Sequence, residues 1–275
     1  VPRPERRAAV SPQRIEELVG VLRDAGNRGE KRYAAGLLAE IGEPAVEPLL
    51  ALLGDRDPNV RAYSAGALGT IKSERVVSPL IALLRDGDPY VRRTAVEALG
   101  RTGSNRAVDP LVAALKDPAG DMAGAAARAL GRIKHPDVVP HLIEALRRPE
   151  WKAVDAAAQA LGDLGAQEAV EPLIDCFEAG PDRPYNIVGR ALWKLGSERA
   201  VDAWIAGLKK GSWWYPRANC AAELGKNKLE KGLPPLQEAL KDESPEVRRA
   251  AVLALMEFRS ESTVGPLREA LADKD

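Results

Sequence analysis

The chain has 275 residues, and its 40 Lys and Arg are balanced by 40 Asp and Glu. With no net charge it has no global field to gather nucleic acid or an anionic membrane, so any electrostatic selectivity has to come from local patches. Cys176 and Cys220 are too few for a disulfide framework and read as thiols of a reducing, cytoplasmic compartment. No apolar run approaches the ~20 residues that span a bilayer.

Val1–Gln13 is polar, basic and broken by proline, and reads as a tail or partial cap before a single repeating domain over residues 14–275. An opening copy starts near Arg14 with a one-residue slip in its loop. AVEPLLALLGDRDPNVRAYSAGALGTIKSER, from Ala45, is then followed by VVSPLIALLRDGDPYVRRTAVEALGRTGSNR, from Val76. Further copies begin near Ala107, Val138, Ala169, Ala200 and Gly232, and a half repeat covers 263–275. A period near 31 residues marks stacked helix pairs, in which no unit can bury its apolar face alone.

Each copy spells two helices. The first carries Val, Leu and Ile at helical spacing, as in Val77, Leu80, Ile81 and Leu84. A proline is expected in its first turn (Pro48, Pro79, Pro110, Pro140, Pro172, Pro266), where the missing N–H is harmless. Asp57-Pro58, Asp88-Pro89 and Ser244-Pro245 then offer an N-cap followed by proline at the first position of the second helix. That helix is expected to bury Val60, Ala67, Leu68 and Ile71 and their equivalents, and a glycine recurs near its end (Gly69, Gly100, Gly131, Gly162). The expected fold is all-α, a right-handed α-solenoid of about eight helix pairs plus a terminal half repeat.

The block V-x-P-L-I-x-A-L-x-D-x-x-P-x-V-R-x-x-A-x-x-A-L-G resembles the HEAT-like repeats of the phycobilisome-lyase family, over about residues 14–275. That family includes bilin lyases, a di-iron hydroxylase and many scaffolds, so the resemblance implies a fold far more than an activity. It also implies that the first helices form a convex face and the second helices a concave one. The hydroxylases use repeated His-Glu pairs as ligands. Here His135 precedes Pro136 and His141 precedes Leu142, so no metal or other cofactor is expected.

Function in a solenoid is sought where positions vary. One such place is a ladder of residues four apart on the second helix, which share a face: Gly66/Thr70, Glu97/Arg101, Arg128/Arg132, Gln159/Asp163, Arg190/Lys194 and Ala222/Lys226. This polar, rather basic stripe suits an acidic or amphipathic protein segment, or else is an ordinary solvated face with pairs such as Glu97/Arg101. The arginines that open the second helix (Arg61, Arg92, Arg248) recur with Asp55, Asp86 and Asp242 and read as a structural ladder instead.

The other is an aromatic cluster: Trp151, Phe177, Tyr185, Trp193, Trp204, Trp213, Trp214 and Tyr215, in the part of the chain that departs most from the consensus. Pro184 and Pro216 disturb the second helices there. Trp193 and Trp204 sit near core positions and read as gap fillers. Trp213, Trp214 and Tyr215, placed in a loop beside Lys209 and Lys210, read together with Tyr185 as a binding surface.

No nucleophile–base arrangement or phosphate-binding glycine loop is present. The expected function is therefore a non-catalytic scaffold for another protein or peptide. The alternative is a bilin lyase or chromophore chaperone, implied by the resemblance. A DNA-glycosylase reading rests on Trp151 and Asp155 at i, i+4 with Arg190 downstream, and the balanced charge argues against it. Nothing in the sequence sets the oligomeric state.

Overall fold

A computed structural model describes residues 11–118, 120–178, 185–211 and 213–270. Positions 1–10 of the expected tail and 271–275 of the half repeat lie outside them, as does Pro184. Among the described residues every regular element is helical. The chain divides into two compact units, Val1–Val138 and Val139–Asp275.

The first unit holds α1 (Pro12–Asp24), α2 (Arg28–Ile41), α3 (Val46–Ala51), α4 (Pro58–Ile71), α5 (Val77–Ala82), α6 (Pro89–Thr102), α7 (Val108–Leu115) and α8 (Gly120–Ile133). The second holds α9 (Val138–Ala145, which begins on the boundary residue), α10 (Trp151–Leu164), α11 (Val170–Glu178), α12 (Tyr185–Lys194), α13 (Arg199–Lys210) and α14 (Trp214–Lys226). It ends with α15 (Leu233–Ala239), α16 (Pro245–Phe258) and α17 (Glu261–Ala270). Odd-numbered helices are the first of each pair and even-numbered helices the second.

The first helices are short because a 3-10 turn precedes many of them, as at Glu43–Ala45 before α3 and Glu74–Val76 before α5. Pro48 and Pro79 fall at their third residues. Pro266 departs from that expectation: α17 starts at Glu261 without a preceding 3-10 turn, which leaves the proline inside the helix. Asp57 and Asp88 cap α4 and α6 as expected, accepting the N–H groups of Asn59 and Tyr90 at 2.8 Å. Ser244 holds the cap position of α16, but its hydroxyl donates to Glu246 at 2.6 Å.

The second helices carry the core. Val60, Ala67 and Leu68 are buried in α4, and Val91, Ala98 and Leu99 in α6. Ile71, at the end of α4, is only half-buried, as are Ile81 and Leu84 on the first-helix face. A fully buried leucine recurs down the row: Leu38, Leu68, Leu99, Leu130, Leu161 and, in α14, Leu224.

The glycine that follows this leucine is not a helix cap. A Cβ on Gly69 would lie 2.6 Å from Cα of Ala98, and one on Gly100 would lie 2.6 Å from Cα of Ala129. The same contact joins Gly162 to Ala191 at 2.9 Å and Gly225 to Ala254 at 2.5 Å. In α4, α6, α10 and α14 the second helix thus rests its glycine on an alanine of the next second helix, backbone against backbone. A left-handed residue comes three residues later: Lys72, Gly103, Lys134, Gly165, Gly196, Lys228 and Arg259 all have φ between 50° and 73°.

These contacts hold second helices together more closely than first helices, which touch their counterparts sparsely. Gly20, inside α1, is different: a Cβ there meets nothing within 4 Å. Gly20→Ala should therefore raise stability by about 0.5–1 kcal/mol, the usual helix-interior gain. A thermal melt showing a lower midpoint for the variant would contradict this.

Candidate protein-binding surfaces

The arginine–aspartate ladder ties successive pairs together. Arg61 Nε and Nη2 donate to Asp86 Oδ2 and Oδ1, each at 2.8 Å, while its Nη1 donates to the carbonyl of Asp55 at 2.8 Å. Arg92 and Arg248 likewise donate to the carbonyls of Asp86 and Asp242 at 2.8 and 2.9 Å. Asp55, Asp86 and Asp242 each also accept an N–H two residues on. The reading of these residues as structural is correct.

Two members escape a reading of the consensus. Arg217 donates to Asp242 at 2.9 Å, to Glu243 at 3.0 Å and to the carbonyl of Gly211 at 3.1 Å, so it is the ladder arginine of its copy. The extra residue before it moves it out of the 31-residue frame, and it stands three residues after Trp214, which opens α14 as Pro58 and Pro89 open α4 and α6. Lys31 does the same work in α2, donating to the carbonyls of Leu22 and Arg23 and lying 3.3 Å from Asp57.

The polar stripe behaves differently in the two units. In the first, Arg101 does not pair with Glu97. It reaches across to the preceding copy, where Nη2 donates to the carbonyl of Gly66 at 3.4 Å, over the space left by the absent side chain. Its Nε is buried without a hydrogen-bond partner. Burial pushes this guanidinium below its ordinary pKa, Glu97 acts to raise it, and Arg132 lowers it further. Arg128 and Arg132 are exposed. Among the described residues none of the three arginines has an ion-pair partner.

In the second unit the stripe largely neutralises itself. Lys194 pairs with Asp163 of the preceding second helix. Arg190 pairs with Glu223 of the following one at 3.4 Å. Gln159 and Lys226 are exposed. Unpaired positive charge on the stripe therefore gathers at Arg101, Arg128 and Arg132, with Lys226 alone in the second unit.

The aromatic cluster also divides. Trp204 is fully buried, as a gap filler should be, whereas Trp193 is 43% exposed with its ring 5.7 Å from that of Trp204. Trp213, Trp214 and Tyr215 do not lie in a loop: Trp213 is the N-cap residue of α14, and the other two open the helix. Pro216 fits there because first-turn N–H groups have no intrahelical acceptor. Trp213 is 71% exposed, and Trp214 and Tyr215 meet edge to face with centroids 6.4 Å apart. Tyr185 opens α12, and its side chain lies outside the described residues.

Trp151 is exposed, with the Lys152 ammonium 5.7 Å from its ring centre. Cys176 and Cys220 are buried, and burial pushes the Cys220 thiol up, which suits packing and not nucleophilic attack.

Rows of second helices, zipped by glycine and alanine and pinned by an arginine ladder, define an α-solenoid repeat protein. The chain belongs to the HEAT-repeat family, whose pattern matches residues 15–86, 46–125, 109–193 and 201–275. Among solved structures it is similar to a chain of the complex of CpcE and CpcF of phycocyanin lyase from Nostoc sp. PCC7120. That likeness has 25% identity and a TM-score of 0.51, and covers 82% of this chain and 92% of that one. It is also similar to yeast importin-β, Kap95p (15% identity, TM-score 0.57, 94% of this chain and 43% of that one). A third similar structure is YibA of Escherichia coli (20% identity, TM-score 0.57, 98% and 95%). No curated protein matches the sequence. No helix among the described residues is long and apolar enough to cross a membrane.

Proposed function

We propose that the chain is a non-catalytic, cytoplasmic scaffold whose second-helix face binds an acidic or amphipathic segment of a partner protein. The observation that carries this reading is the group of Arg101, Arg128 and Arg132, which has no carboxylate partner, whereas in the second unit Arg190 and Lys194 are paired and Lys226 stands alone. A partly desolvated guanidinium beside two exposed ones is set to gain from carboxylates brought by another molecule. The similarity to a chain from the CpcE–CpcF complex supports a protein as that molecule.

The test is fluorescence anisotropy with a labelled glutamate-rich peptide. Arg128→Glu/Arg132→Glu should weaken binding about tenfold or more at low salt, with a smaller difference at high salt. Equal affinity for wild type and variant would remove this surface from the reading.

The same similarity, together with exposed Trp213 and Trp214, supports a second reading as a chromophore chaperone. An absorbance titration with a bilin separates the two: a spectral shift lost in Trp213→Ala/Trp214→Ala favours the chaperone.

A further inference from the structure

In the first unit the arginine ladder stops at Arg92. Arg61 and Arg92 are anchored alike. Nη1 of Arg61 donates to the carbonyls of Asp55 and Arg56, and Nη1 of Arg92 to those of Asp86 and Gly87. Arg61 then grips the Asp86 carboxylate with Nε and Nη2. The residue that corresponds to Asp86 one copy later is Asp117, yet among the described residues Arg92 forms no ion pair. A guanidinium already fixed in place thus keeps two donors without a carboxylate.

The sequence of the next copy explains the break. At 31-residue intervals Asp57 and Asp88 give way to Ala119, Pro58 and Pro89 to Gly120, and Arg61 and Arg92 to Ala123. Both the capping signal and the next rung are gone. Met122, near the start of α8, is only half-buried, whereas its counterparts Val60 and Val91 are fully buried. A cleft of about 690 Å³ lies at this place, lined from α5, α6, α7 and α8. That volume falls within the range of about 300–1,000 Å³ usual for small-molecule sites. Ile81, Leu84, Val96 and Met122 give the cleft apolar walls, and its charged lining is Arg85, Arg92 and Asp117.

We propose that this cleft binds a small amphipathic carboxylate, with its apolar body against Ile81, Val96 and Met122 and its carboxylate on the open fork of Arg92. Two parallel N–H donors match the two oxygens of a carboxylate, as they do between Arg61 and Asp86. Because Nη1 is already anchored, little further ordering is needed on binding. Exposed Arg85 stands where the preceding copy has Gly54, so the lining sets two guanidiniums against one carboxylate. Met122 supplies a wall that adapts to the shape of the ligand. The cleft shares no residue with the group of Arg101, Arg128 and Arg132, and the inference is independent of the protein-binding reading.

Met122 and Met256 are the two methionines of the chain. Carbon-13 labelling of their methyl groups therefore places one reporter in the cleft and the other on α16 of the second unit. Octanoate should shift the Met122 signal saturably and leave Met256 unmoved. Octan-1-ol, which keeps the apolar body without the charge, should bind about tenfold more weakly or worse. Arg92→Lys keeps the charge and removes the fork. It should weaken octanoate binding about tenfold and leave octan-1-ol unchanged, which separates a lost contact from lost folding. Ala114→Phe should fill the cleft and weaken both ligands. The glutamate-rich peptide should leave Met122 unmoved. A Met122 signal indifferent to octanoate, equal affinity for octan-1-ol, unchanged octanoate affinity in either variant, or a Met122 shift with the peptide would overturn the proposal.

Discussion

Gly100→Ala should destabilise the protein by about 2 kcal/mol, although alanine is the better helix former. In a helix interior the exchange ordinarily gains up to about 1 kcal/mol. At position 100 the new Cβ would lie 2.6 Å from Cα and 2.7 Å from Cβ of Ala129, and 3.2 Å from its carbonyl oxygen. These are backbone atoms and the first side-chain carbon of a packed helix, so no rotamer change relieves the clash. Either α6 and α8 move apart by about 1 Å or their backbones bend, and overfilling of this kind costs about 1–3 kcal/mol, sometimes more. Separation would also strip contacts from Ala98 and Leu99, which are fully buried.

Urea denaturation followed by circular dichroism measures the change, and hydrogen exchange should place the weakening in α6 and α8. The informative comparison is Gly20→Ala, the same exchange at an open helical site and with the opposite expected sign. A Gly100→Ala variant as stable as wild type would show that the glycine–alanine contact is slack.

Much of this architecture is legible in the sequence because a solenoid repeats its solutions. The Asp-Pro caps at Asp57 and Asp88 appear where the motif places them, and the pairing of Arg61, Arg92 and Arg248 with conspicuous aspartates reveals a ladder. The role of Gly69 and Gly100 is harder to read. A glycine near a helix end suggests a cap, yet the left-handed residue is Lys72 in one copy and Gly103 in the next. A lysine at that conformation carries no sequence mark of its own.

The candidate surfaces were only half visible for a related reason. Helical spacing puts Glu97 and Arg101 on one face, but which partner a long side chain chooses depends on the neighbouring copy. The absent side chain at Gly66 draws Arg101 away from Glu97. In the same way Asp163 and Glu223 neutralise Lys194 and Arg190 across copies, which spacing within one helix does not foretell.

Asp86→Asn should cost about 2 kcal/mol at neutral pH and lose its effect in acid. The exchange keeps the shape and the oxygen that accepts the N–H of Asp88 at 2.9 Å, and removes the charge together with the second oxygen, which accepts from Arg61 Nε. The pair is largely withdrawn from water, with side-chain exposures of 17% for the arginine and 9% for the aspartate. Removing one partner of a buried pair costs about 3–5 kcal/mol. The carbonyls of Asp55 and Arg56 still hold the Arg61 guanidinium, which brings the expectation below that range.

The bidentate bond from Arg61, opposed by burial and aided by the Asp88 N–H, holds the Asp86 carboxyl below the usual carboxylate range. A group whose folded pKa is depressed stabilises fully above its unfolded pKa, about 3.9 for aspartate, and loses that contribution as pH falls through the folded value. The gap between wild type and Asp86→Asn should therefore stay constant from about pH 6 upward and narrow progressively below about pH 4. Urea midpoints across that range measure it. A gap below about 0.5 kcal/mol at pH 7 would place this bond among ordinary surface ion pairs. A gap that fails to close in acid would show that the second acceptor oxygen, and not the charge, carries the effect.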